Sequence, residues 1–244
     1  MTGLTQALGA FVAKPSFGTD ERAALEVAKT GFIDTIATMM AGNAEPVVNI
    51  VRKYFADATT PAEAPVPFLG TMHPAAQAAF ISAVAGHALD YDDVAISGHP
   101  STVLVPAILA EGYRLNCSGL DALRAYVVGY EVWGELVNRE TDQYHLKGWH
   151  PTGVFGAVGA AAAVAYLNKL NAAEAAQALA ISASLASGLV ANFGTMTKPF
   201  HAGRAASHGI EAVKLSKLGM TSAPDVFEHP AGYLDRKSTR LNSS

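Results

Sequence analysis

GVFGAVGAAAAVAY, residues 153–166, decides the reading of the fold. No residue in it is charged, and small or apolar side chains fall on every side of a 3.6-residue turn. A helix of that kind in a soluble protein is buried by neighbours on several sides, not along a single stripe. The uncharged run ends at Leu167, short of the roughly 20 residues that a bilayer requires, and it is built from Ala and Gly instead of Leu and Ile. Ala172–Leu185 is likewise apolar almost all the way round. The two segments are expected to form a central helix pair, their Ala, Gly and Ser residues permitting close backbone approach.

Helical signals spread outward from this pair. Pro151 suits the first turn of the helix it opens, and Asn171 with Glu174 caps the next. Ser118 with Asp121 reads as a capping box for a helix to about Asn138. Thr19 is the expected N-cap of a helix whose apolar positions Ala24, Val27, Ala28, Phe32, Ile36 and Met39 lead to a stop at Gly42. Pro74 opens a helix through Ala88, and Thr102–Val105, interrupted by Pro106, starts another. A last helix is expected from about Ala202 to Leu218, stopping at Gly219. Strand signals are scarce, and glycine-rich phosphate loops are absent. The fold class is all-α.

Composition bounds the function. Half of the 244 residues are apolar and 16% are charged, which suits a chain with a substantial core and excludes a disordered tail, a collagen-like fibre or a charged coiled coil. The net charge of −4 leaves no global basic field, so bulk binding to nucleic acid is disfavoured. Cys117 is the lone cysteine and forms no internal disulfide, as suits a reducing compartment. Met1–Lys14 has no basic region ahead of its weak apolar stretch, so a secretory signal is not expected. These features predict a cytoplasmic protein with neither membrane nor nucleic acid as partner. Residues 235–244, DRKSTRLNSS, break the pattern. They read as a non-native tail set apart from a domain at 1–234, the plainer alternative being a frayed terminus.

Three segments gather the chemistry: SGHPST around His99, GWHPTG around His150 and TKPFHAGR at 197–204. Each places a basic residue directly before proline, at His99, His150 and Lys198. Such residues are pushed out of helical geometry, so they are expected at helix boundaries or in loops, where reactive groups are displayed. Asp90, Asp92 and Asp93 end the helix that starts near Pro74, against the helix dipole, and one or more are expected to contact His99. The bland reading for Asp92 or Asp93 is a solvated acidic turn. His87, Asp90 and His99 are also a candidate metal set, although neither an HExxH motif nor a Cys/His ladder accompanies them. His201, Arg204 and His208 follow Lys198 at helical spacing, with His201 at the mouth of the last helix. With His99, His150 and Lys198 they sketch a cationic pocket suited to a small polycarboxylate.

The runs HALDYDDVAISGHPSTVLVPAILA, GWHPTGVFGAVGAAAAVAYL and TMTKPFHAGRAASHGIEAVKL closely resemble the MmgE/PrpD family. That resemblance covers most of residues 4–234. It implies a large helical domain followed by a smaller α+β lid beyond this chain, usually in a homodimer, and a reaction on a small di- or tricarboxylate. Members dehydrate 2-methylcitrate, decarboxylate cis-aconitate or epimerise iminodisuccinate. Carried over residue by residue, the acid of the family's DxDD stretch falls on Asp90, and the histidines of its two His-Pro motifs fall on His99 and His150. The lysine of its TKPxHxG motif falls on Lys198, with His201 in the same motif. A threonine that some decarboxylase members carry after DxDD is Val94 here.

The expectation is a cofactor-independent, metal-free lyase of the hydro-lyase type. His99 would be general acid/base and Asp90 its orienting partner. His150 and Lys198 would hold substrate carboxylates, and His201 and Arg204 would assist binding. The alternatives are decarboxylation or epimerisation on the same site, a non-catalytic helical dimerisation module, or a metal-dependent hydrolase.

Overall fold

The computed structural model describes residues 3–57, 61–140 and 143–234. The chain folds as helices α1 (Leu4–Ala13), α2 (Glu21–Gly42) and α3 (Pro46–Phe55), then a hairpin of β1 (Ala64–Val66) and β2 (Thr71–His73). Helices α4 (Ala75–His87), α5 (Ser101–Leu115) and α6 (Gly119–Asn138) follow, and then α7 (Pro151–Leu167), α8 (Ala172–Leu185) and α9 (Thr197–Lys217). The strands pair antiparallel in the register Ala64 to His73 and Val66 to Thr71. The architecture is all-α, as the sequence predicts. The 235–244 segment lies outside the described residues.

The axis of the fold is α7. Every residue of it except Tyr166 is buried, because α9, α6, α5, α8 and α1 all pack against it. Close approach does depend on small residues: a Cβ added at Gly209 of α9 would lie 2.5 Å from Ala160 Cβ of α7. Both predicted capping boxes form, Ser118 with Asp121 at α6 and Asn171 with Glu174 at α8.

Several boundaries differ from expectation. The N-cap of α2 is Asp20, one residue past Thr19. Val27 and Ile33 of this helix are exposed, while Ala28 and Met39 are buried, so its apolar residues divide between core and surface. Gly42 is the last helical residue rather than a left-handed stop. It is small because α2 crosses α4 there, where an added Cβ would lie 2.1 Å from the Ala85 carbonyl oxygen. Helix α9 starts at Thr197, not near Ala202. Pro199 is tolerated because the N–H groups of a first turn have no intrahelical acceptors to lose. Helices α1 and α3 and the hairpin were not anticipated. The hairpin side is tied to α4 and α9 through Glu63, which accepts from the Ala75 amide (3.0 Å) and from Lys214 (2.9 Å).

The two ends of the described chain are stitched together. Glu228 accepts from the Thr5 amide (3.1 Å) and hydroxyl (2.6 Å), and the Phe227 amide donates back to Thr5 Oγ1 (3.1 Å).

Candidate functional site

Three helices begin at one place. His99 directly precedes the Pro100 N-cap of α5, His150 is itself the N-cap of α7, and Lys198 lies in the first turn of α9. The basic-residue-before-proline pattern thus marks three helix N-termini. A helix N-terminus favours negative charge, and that of α5 is already met by Asp93.

His99 is delivered by a strained loop. Ala95 and Gly98 exchange backbone hydrogen bonds of 2.9 Å, closing a tight turn in which Ile96 (φ +39°) and Ser97 (φ +64°) are both left-handed. For a β-branched residue such as Ile96 this conformation is costly, so its surroundings must hold it. The Trp133 indole N–H donates to the Ile96 carbonyl (3.0 Å), and the His99 amide donates to Thr152 Oγ1 (3.1 Å). His150 is fixed by its amide bond to the Gly188 carbonyl (3.0 Å).

Four imidazoles meet at this place. His87, at the end of α4, contacts His99 edge-on at 4.6 Å between ring centroids and stacks on His150 at 5.9 Å. His150 Nδ1 and His201 Nδ1 lie 3.0 Å apart, so one donates while the other accepts. His201 lies on α9 proper, a full turn inside it, not at its mouth. Lys198 Nζ reaches Asp90 Oδ1 at 2.5 Å and sits 5.1 Å from the centre of the Phe193 ring. His99 Nε2 is 3.7 Å from the same Asp90 oxygen.

The acidic trio divides its work, and none of it is a plain solvated turn. Asp93 holds the N-terminus of α5, accepting from the Ser101 amide (3.1 Å) and hydroxyl (2.9 Å). It therefore complements a helix dipole instead of opposing one. Asp90, half exposed with φ +57°, points to Lys198. Asp92 is fully buried; both its oxygens accept from His87 Nδ1 (3.0 and 2.9 Å), and Oδ2 lies 3.2 Å from His99 Nδ1. Burial alone would raise the Asp92 pKa, but the hydrogen bonds from His87 and His99 outweigh it and hold the carboxyl at about 2. Burial lowers the pKa of His87 and His201 and pushes His150 down to about 2, with the electrostatic effect of the surrounding histidines and of Lys198 adding to that of burial.

Asp90, His99, His150, Lys198 and His201 are thus brought together as expected. Arg204 is not joined to them. Its guanidinium lies over the rings of Phe80 (5.3 Å) and Phe200 (5.4 Å), a cation–π arrangement in the packing between α4 and α9. His87 and Asp92 are central, whereas the sequence offered His87 only as a metal ligand. Adjacent to the cluster a cleft of about 340 Å³ is lined by Pro46, His87, Asp90, Thr195, Met196 and Lys198, large enough for a small organic acid. A larger hollow of about 640 Å³, near Cys117 and Lys217, contains none of these residues. The Cys117 thiol pKa is raised, mainly by burial, which disfavours the nucleophilic thiolate.

His87, Asp90, Asp92 and His99 each place one donor atom within 4.8 Å of the others, a set with the chemistry to bind a divalent cation. The Lys198 ammonium already supplies a positive charge at Asp90. Among the described residues no helix is long and apolar enough to cross a membrane.

The sequence also matches known proteins. The family model of the MmgE/PrpD N-terminal domain matches residues 6–242. The chain is similar to the human protein named cis-aconitate decarboxylase, at 36% identity over 166 residues, and to its mouse counterpart, at 37%. In each case the match takes in 66% of this chain and only 34% of the relative.

Proposed function

Because this chain belongs to the MmgE/PrpD family, we propose that it forms the helical part of a lyase acting on a small di- or tricarboxylate without a metal or organic cofactor. The observation that carries this reading is the meeting of His99, His150 and Lys198, each at a helix N-terminus, with Asp90 and His201 beside an open cleft. A polycarboxylate needs cations and amide dipoles to hold it, and a proton shuttle working near neutral pH.

In a dehydration, a base removes the proton α to a carboxylate, and its electron pair moves into that carboxylate. Lys198 stabilises the resulting charge. As the β-hydroxyl group departs it takes a proton and leaves as water. His99, whose Nε2 faces Asp90, is the acid/base group. Neutral His150, backed by His201, donates a hydrogen bond to a substrate carboxylate. Decarboxylation is the second reading, favoured by the name of the relatives. It uses the same groups: the carbon–carboxylate bond breaks, CO₂ leaves, and the electron pair left on carbon is protonated by His99. A cytoplasmic homodimer is part of the same proposal, supported by the family to which the chain belongs.

The test is a panel of citrate, 2-methylcitrate and cis-aconitate supplied to the full-length protein, followed by proton NMR. One of them should be consumed, before and after dialysis against a chelator. His99→Ala and Lys198→Ala should each lower kcat/KM by roughly 10²–10⁴-fold. Turnover close to wild type in either variant would overturn the assignment, and loss of turnover on chelation would revive the metal reading.

A further inference from the structure

Asp92 has no role in the proposed reaction, yet its position is hard to account for as packing. Its side chain is completely buried and is shared between two histidines, His87 on the end of α4 and His99 on the approach to α5. The structural tasks of this loop fall to its neighbours: Asp93 caps α5, and Asp90 meets Lys198 at the cleft. A buried carboxylate is costly to keep unless its partners need it, and removing one partner leaves the other exposed to that cost. His87 Nε2, on the far side of the ring from Asp92, is buried and without a hydrogen-bond partner, so Asp92 accounts for the hydrogen bonding of this imidazole. Among the described residues Asp92 is also the one acid within ion-pair reach of His99 Nδ1, at 3.2 Å, a buried nitrogen that makes no aligned hydrogen bond, whereas Asp90 approaches Nε2 at 3.7 Å.

We infer that Asp92, not Asp90, is the positioning residue that fixes the proton of His99 on Nδ1, leaving the Nε2 lone pair on the side of Asp90, which lines the cleft. A carboxylate accepts hydrogen bonds and cannot donate when ionised, so an imidazole within hydrogen-bond length of it presents N–H on that side; Asp92 at 3.2 Å meets that condition and Asp90 at 3.7 Å does not. The other ring nitrogen is then the base. His87, held in the same tautomer by the same carboxylate, forms the wall against which His99 packs. This inference rests on the reading of His99 as the acid/base group, but the tautomer it specifies does not depend on turnover.

The wild-type measurement comes first. Nitrogen-15 NMR of this chain labelled at histidine should show neutral His99 protonated at Nδ1. A predominant Nε2–H form would overturn the inference whatever the activity. The variant Asp92→Asn offers an amide whose NH₂ can donate to Nδ1 and so favours the wrong tautomer. In the full-length protein it should lower kcat by about 10²-fold or more with a smaller change in KM, by analogy with acid–histidine pairs of known effect. The acidic limb of the kcat profile should also move. The titratable groups facing Asp92 and its partners are His87, Asp90, Asp93, His99, His150 and Lys198, so Asp90→Asn serves as the comparison. It should leave the His99 tautomer unchanged. Asp92→Glu should recover part of the activity lost in Asp92→Asn. If Asp92→Asn keeps wild-type kcat, pH profile and tautomer while His99→Ala is inactive, the positioning role fails and the broader reading stands. If His99→Ala remains active, the broader reading fails, and the tautomer still decides the contact. Should Asp92→Asn not fold, the wild-type spectrum and Asp92→Glu carry the decision.

Discussion

His87, His150 and His201 are buried neutral in a protein whose unfolded chain would protonate them near pH 6.5. Their folded pKa values lie below the unfolded ones, so the unfolded state binds more protons as pH falls. Stability should therefore decline below about pH 6.5, by up to roughly 1.4 kcal/mol per pH unit for each histidine. Asp92, held at about 2, adds stability that is present above the ordinary aspartate range and lost between about pH 4 and pH 2. Urea unfolding at pH 7.5, 6.5 and 5.5 checks the first phase, and equal midpoints would contradict a neutral histidine cluster. His99, His150 and Lys198 stand out in the sequence because proline beside a basic residue punctuates the chain, and Asp90 through the family's DxDD motif. Asp92 does not. In DYDD three acids look alike, and only tertiary packing turns one to solvent, one to a helix end and one into the core.

The elements show which local rules survive packing. Capping boxes depend on four neighbouring residues and were read correctly at α6 and α8. Ser118→Ala should cost about 1 kcal/mol, seen as a drop of a few degrees in Tm, because the Asp121 N–H of the first turn loses its acceptor. The α7–α9 crossing depends on distant residues and is less forgiving. Gly209→Val should destabilise on the order of 1–3 kcal/mol or more, as the new side chain meets the Ala160 backbone carbon at 2.7 Å. A smaller loss than that of Ser118→Ala in matched thermal melts would contradict this order. The start of α9 was misjudged because the rule that a residue before proline avoids helix is a bias, and the first helical turn overrides it at Lys198. Short α1 and α3 escaped notice because much of what stabilises them is the neighbour they pack on, α8 for one and α4 for the other.

At the scale of the molecule, the expectation of a central apolar helix wrapped by neighbours carried most of the fold, since a segment with no polar face has few ways to be satisfied in water. The surface was less legible. Ile33 and Met40 on α2 and Ile50 and Tyr54 on α3 stay exposed, as do Tyr91, Val94 and Phe193 beside the site. Periodicity alone cannot distinguish apolar positions that face the core from those that face outward. The tie between Thr5 and Glu228 has a separate consequence. Segments 223 residues apart that meet in this way close the helical unit between them in all but covalent fact, so the order in which its helices are threaded is partly a matter of where the ring is cut. Joining residues 3 and 234 by a short flexible linker and opening the ring at the exposed turn between β1 and β2 should give a circular permutant with the same helical circular dichroism and cooperative melting. Loss of cooperative melting in that permutant would show that the native order of synthesis, and not closure alone, is needed to bring His99, His150 and Lys198 to one place.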